Sequence, residues 1–222
     1  MRVYNNEKRA QSDFKDVFDK VQRGVEEMRS KSARKSPFEP YLSMASVSLD
    51  MKCAIIRMVY SANSTKFEQI IKRDLKLNDA INNSSGDAEK NGIRYEIKCS
   101  VHGATTFNWN QIRPFHTIDF YILVGYDLNY TDQKNIGRSY IFKVPAADMY
   151  NLVVEYGGYC HGTVDAQGVI TQDHIKNKGR DFSYKLAVRP IRPDGKQHTL
   201  TKGRRLWETL KQYSVEYNSE KF

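Results

Sequence analysis

Cysteine is scarce in this chain, and its three copies, Cys53, Cys99 and Cys160, stand far apart. Without a Cys-x-x-Cys pair there is no zinc module, and an odd number of scattered thiols makes no disulfide framework. Reduced thiols suit a cytoplasmic protein. Long apolar runs are missing too. None reaches the ~18 residues that a membrane-spanning helix requires, and no apolar signal segment opens the sequence, so no membrane partner is expected. No internal repeat is present. Acidic residues are outnumbered, with 26 Asp and Glu against 35 Lys and Arg. What is plentiful is aromatic: 14 Tyr and 10 Phe exclude a disordered chain. At 222 residues the chain can bury a core without disulfides or a structural metal, as a single domain.

The net charge of +9 is concentrated rather than spread. Residues 176–205 carry ten Lys and Arg against only Asp181 and Asp194. Such a stretch is the electrostatic footprint of a polyphosphate binder, or else a solvated surface that keeps the protein soluble.

Apolar spacing sets the order of elements. Phe14, Val17, Phe18, Val21, Val25 and Met28 recur at three and four, which predicts a helix over 7–30. A basic connector follows at 30–40, then a largely buried helix over 43–60. A third helix begins after Asn63-Ser64, where Thr65 and Glu68 have capping-box spacing. Its stripe is Phe67, Ile70, Ile71 and Leu75. Glu68 borders that stripe and could support a metal site, although the cap alone explains it. Strands are expected at 93–99, 118–126, 138–144 and 181–188, with helices at 145–153 and 203–213. The segment 100–114 reads as a polar, aromatic loop. Helices first, then a hairpin, an apolar strand, a strand and a helix make an α/β protein with a mixed β-sheet flanked by helices. Three parts are expected within the single domain: an N-terminal helical part at 1–62, a core at 63–156 and a basic part at 157–222.

The chemistry is expected in the core. Acid-x-Lys occurs six times in this sequence, so the tripeptide by itself means little. Only Glu96-Ile97-Lys98 lies in an alternating strand, with Ile93, Tyr95, Ile97 and Cys99 on one side and Arg94, Glu96 and Lys98 on the other. That pattern predicts a half-buried strand presenting a carboxylate and an ammonium together. Asn91-Gly92 upstream is a hairpin signal. The hairpin would return Asp87 to Glu96, placing two carboxylates and a lysine at one spot. Hard divalent cations seek such oxygen ligands.

Gly86-Asp87, nine residues, Glu96-Ile97-Lys98, a polar aromatic segment and the strand Asp119–Asp127 resemble the PD-(D/E)xK nuclease core. Among its members the chain looks most like a type II restriction endonuclease. The likeness covers roughly residues 64–145. It departs from the pattern at Gly86, where the family's motif has proline. The resemblance implies a restriction-endonuclease-like core with extra N-terminal helices and a basic C-terminal region. It implies Asp87 and Glu96 as Mg²⁺ ligands with the backbone carbonyl of Ile97, and Lys98 orienting the attacking water. Gln111 would be a supporting residue, as in some members. The expected reaction is Mg²⁺-dependent, sequence-specific hydrolysis of double-stranded DNA that leaves 5′-phosphates. Base and phosphate contacts would come from Asn108, Asn110, Gln111 and Arg113, and from Arg189, Arg192, His198, Lys202, Arg204 and Arg205. Arg suits guanine, and Asn or Gln suits adenine. A palindromic target implies a homodimer, with the helix over 7–30 a plausible interface, and a cognate DNA methyltransferase in the same system. A repair or phage nuclease on the same core is the alternative within enzymes. A non-catalytic DNA-binding protein is the alternative outside them, but it would not need Asp87, Glu96 and Lys98 together.

Overall fold

The computed structural model describes residues 38–60, 64–82, 85–101, 106–128, 137–161, 169–178, 183–191 and 201–222. The expected helix over 7–30, with its role as a dimer contact, lies outside them, as do Arg192 and His198.

The expected helix over 43–60 begins only at Leu49, after turns at 45–47, and the expected connector runs into a short helix. A short helix, α1 (Glu39–Ser43), precedes α2 (Leu49–Val59). Ser48 caps α2, its hydroxyl accepting from the Met51 N–H at 3.3 Å. α3 (Ser64–Leu75) buries the stripe read from the sequence: Phe67, Ile70, Ile71 and Leu75. The helix starts at Ser64, so Thr65 is inside it rather than its cap. Glu68 instead pairs with Lys72 one turn on, at 2.6 Å. α3 ends on Lys76 in the left-handed region, φ 57°. The Leu77 N–H donates to the Lys72 carbonyl and the Lys76 N–H to that of Arg73, which satisfies the last turn.

Two sheets follow. The larger holds β1 (Asn78–Asp79), β2 (Ala88–Lys90), β3 (Ile93–Ser100), β5 (Phe120–Asp127) and β6 (Arg138–Pro145), side by side in that order. β3 and β5 are parallel and the other pairs antiparallel, so the sheet is mixed. The smaller holds β4 (Phe107–Ile112), β8 (Ser183–Val188) and β7 (Gly158–His161), with β8 central. Parallel neighbours require a crossover. Here the connection from β3 to β5 runs through β4, which leaves the large sheet to pair with β8. The expected loop at 100–114 is therefore largely a strand. Alternation explains it: Phe107, Trp109 and Ile112 are buried, while Asn108, Asn110 and Gln111 are exposed.

Helices α4 (Ala146–Tyr156), α5 (Gln172–Lys178) and α6 (Lys202–Leu210) complete the fold. The sequence reading had no counterpart for α5. Two cores result. One joins α2, α3 and the face of the large sheet bearing Tyr95, Ile97, Ile122 and Val124. The other joins the opposite face, with Tyr121, Leu123, Phe142 and Val144, to the small sheet, α4 and α6. β5 is buried on both faces, as its unbroken apolar run requires.

Residues 214–222 strap the large sheet at its margins. The Val215 N–H donates to the Ile141 carbonyl, Tyr217 hydrogen-bonds Asp74 at 2.8 Å, and Phe222 packs beside Tyr95. Asp74 also takes Lys52, a lysine with a side chain only 2% exposed. No helix among the described residues is long and apolar enough to cross a membrane.

Candidate active site

The β2–β3 hairpin turns at Asn91 and Gly92, whose φ angles of 54° and 79° are what a tight two-residue turn of this hand needs. It pairs Ala88 with Tyr95, which sets Asp87 beside Glu96. The Asp87 N–H donates to the Tyr95 carbonyl at 2.8 Å. Gly86, at φ 87°, makes that approach possible, because a Cβ there would stand 2.5 Å from the same carbonyl oxygen. A proline at this position would be locked at negative φ. The departure from the resembled motif thus has a local reason.

Asp87, Glu96 and Lys98 meet on the face of the large sheet turned toward the small one. Lys98 Nζ lies 2.5 Å from Glu96 Oε1 and 3.8 Å from Asp87 Oδ2. Asp87 Oδ2 also accepts from the Ile97 N–H at 2.7 Å. The expected half-buried strand needs correction, because Glu96 is buried, only 2% exposed. The second sheet covers the side that alternation alone assigned to solvent. Its other oxygen, Oε2, lies 3.4 Å from Nδ1 of His116.

The two carboxyl groups titrate differently. Burial, with Glu96 close by, raises Asp87 to about 6 against the opposing pull of Lys98 and the Ile97 N–H. Burial acts to raise Glu96 as well, but His116 and Lys98 outweigh it and hold the group below its ordinary value. Glu96 is the settled anion of the pair, and Asp87 carries the unrelieved repulsion.

A cleft of about 500 Å³ opens over these groups. Glu68, Ile97, Asn108, Asn110, Gln111 and Arg113 line it along with the three central residues. So does His116, which the sequence reading missed. The small sheet supplies the second wall. Asn108 and Asn110 point outward from β4, and Gln111 sits at an irregularity in the pairing with β8, at φ 56°. Such a conformation in a non-glycine residue costs of order 1–3 kcal/mol and tends to accumulate at functional sites.

The four described basic residues expected to contact DNA from the C-terminal part lie elsewhere. Arg189 follows β8, exposed, its N–H donating to the Gly203 carbonyl. Lys202 opens α6 and reaches the Gly157 carbonyl at 3.4 Å. Arg204 and Arg205 lie in the first turn of α6. None of these four lines the cleft.

Among the described residues no group of three or more His, Cys, Asp and Glu side chains could hold a metal ion. If a cation enters the cleft, the groups that could hold it are the Asp87 and Glu96 carboxylates, with the Ile97 backbone beside them. That fits Mg²⁺, which is commonly bound by one or two carboxylates, retained waters and substrate phosphate oxygens, and not Ca²⁺ in a closed protein cage. The placing of Lys98 supports the fit, since its ammonium already sits as a cation against both carboxylates.

No family model, no curated protein and no solved structure matches this chain. The geometry is what speaks to function.

Proposed function

We propose that this protein is a Mg²⁺-dependent endonuclease that hydrolyses phosphodiester bonds of double-stranded DNA at specific sequences, a type II restriction enzyme. The observation that carries the reading is the meeting of Asp87, Glu96 and Lys98 at the base of an open cleft. A restriction-endonuclease-like core is consistent with the mixed sheet, the hairpin that pairs Asp87 with Glu96, and α3 bringing Glu68 to the same cleft.

Asp87 and Glu96 would hold the metal, with the Ile97 carbonyl as a further ligand. Bound there, Mg²⁺ would polarise a phosphate oxygen and lower the pKa of water. Lys98 supplies a flexible ammonium with three donors, able to orient water against the phosphorus and to balance the charge of the pentacoordinate transition state. The water gives up a proton to solvent as its oxygen bonds to phosphorus, the bond to O3′ breaks, O3′ takes up a proton to become a hydroxyl, and the phosphate stays on the 5′ end. Glu68 and Gln111 support the site from two directions. Asn108, Asn110 and Arg113 face the substrate from the second wall, where amides and guanidinium groups can read base edges. Arg189, Lys202, Arg204 and Arg205 would hold phosphates further along the duplex. A palindromic target calls for a homodimer, and a cognate methyltransferase would protect the host's own sites.

Plasmid and phage DNA incubated with the purified protein and Mg²⁺ test the reading. Discrete bands that vanish with EDTA are expected. A smear would make it a nuclease without sequence preference, and intact DNA would reject catalysis.

A further inference from the structure

His116 has no place in the sequence motif, yet it touches the centre of the site. Glu96 has two oxygens and each has a partner: Oε1 meets Lys98 at 2.5 Å and Oε2 meets His116 Nδ1 at 3.4 Å. The side chains of His116 and Glu96 are 10% and 3% exposed, so this contact is shielded from water. Both the ring and the backbone of His116 are held in place. Phe115 meets it edge-on, with ring centroids 5.0 Å apart and planes at 79°. The His116 N–H donates to the Arg113 carbonyl, and its own carbonyl accepts from the Ile118 N–H, both at 3.0 Å.

The turn that carries His116 is tied to the strands that carry Glu96. Tyr121 is the register partner of Glu96 across the parallel pair, and its hydroxyl donates to the Arg113 carbonyl at 3.0 Å. The same turn continues directly from Gln111 and Arg113, which line the opposite wall. One short loop therefore spans from the recognition wall to a carboxylate oxygen.

We propose that His116 is a positioning residue that fixes the Glu96 carboxylate for the cation. Its Nδ1–H donates to Oε2, which leaves Oε1 directed at Asp87 and Lys98. When Lys98 gives up Oε1 to a divalent ion, the His116 contact is what keeps the carboxylate from rotating. Hydrogen-bonded partners of ligating carboxylates act in this way, and their loss typically costs about 10–100-fold in metal affinity or activity. The inference rests on the nuclease reading, and the test separates the two.

The probe is Mn²⁺, whose free concentration is read by electron paramagnetic resonance in the full chain without DNA. His116→Phe keeps the ring against Phe115 and removes the donor, and His116→Ala removes both. His116→Asn places an amide N–H near the position of Nδ1. Expected are Mn²⁺ affinities about tenfold weaker for the Phe and Ala variants and within about threefold of the unaltered protein for Asn. In cleavage assays the metal requirement rises while the KM for DNA stays the same. Unchanged Mn²⁺ affinity in both donor-less variants, or an Asn variant as weak as they are, overturns the positioning role alone. An unaltered protein that binds no Mn²⁺ overturns the nuclease reading, and this inference with it.

Discussion

The two walls of the cleft are built on opposite principles. The wall from the large sheet holds charge: Asp87, Glu96 and Lys98 are drawn together and shielded, with Glu96 almost wholly buried. The wall from the small sheet holds neutral amides in the open, Asn108, Asn110 and Gln111, one of them in a left-handed conformation. Buried charge gains strength from the low local dielectric and tolerates little displacement. Exposed amides are able to adapt to a partner. On the proposed function, the difference would let fixed chemistry and adjustable recognition share a cleft, each supplied by a separate sheet.

Breaking the charged wall should have the largest effect. Glu96→Ala and Lys98→Ala are each expected to lower single-turnover cleavage by at least about 10²–10³-fold, the scale of losing one transition-state contact. Binding of DNA, measured by band shift in Ca²⁺, should be retained. Cleavage at the unaltered rate by either variant would remove that residue from the site.

Gly86→Ala strikes the same wall through the backbone. The new Cβ meets the Tyr95 carbonyl at 2.5 Å, and φ 87° disfavours any side chain. A loss of about 1–3 kcal/mol in urea unfolding is expected, with cleavage falling as Asp87 is displaced.

Asp87→Asn should stabilise the protein, which separates function from fold within one wall. Asp87 holds its proton more tightly folded, at about 6, than an unfolded aspartate at about 3.9. Its contribution to stability is therefore full below pH ~4 and is lost as the pH rises through 6. In EDTA at pH 8 the variant should unfold later by on the order of 1–2 kcal/mol, and at pH 4 the gain should disappear. Glu96→Gln should do the reverse, since its folded carboxylate is favoured by His116 and Lys98. If both variants shift stability in the same direction, the contrast between the two carboxylates is wrong.

The smallest structural effect belongs to the open wall. Gln111→Gly suits φ 56° and should leave the unfolding free energy within about 1 kcal/mol of the original. If Gln111 also contacts a base, discrimination against altered target sequences should nevertheless weaken, by up to about 1–3 kcal/mol for that contact. An unchanged target preference would assign Gln111 to backbone geometry alone.

The hairpin was legible because its signals are local. Asn91-Gly92 names the turn, and alternation from Ile93 to Cys99 names the strand. The α3 stripe and the apolar run at β5 were readable for the same reason. What escaped depends on contacts far apart in sequence. Phe107, Trp109 and Ile112 look like scattered apolar residues in a polar loop until β8, more than seventy residues later, supplies their partner strand. The burial of Glu96 follows from that same second sheet. His116 had no signal at all, since an Arg-Pro-Phe-His turn gives no hint of which carboxylate it will meet. Concentrated charge at 176–205 pointed to nucleic acid without locating the contact, and its described members at 189 and 202–205 stand apart from the cleft.

A crystal soaked in Mn²⁺ and measured above the manganese absorption edge gives the most direct answer. The account predicts an anomalous peak between the Asp87 and Glu96 carboxylates, with Lys98 Nζ moved off Glu96 Oε1. No peak there, with Lys98 still bridging the two acids, would contradict it.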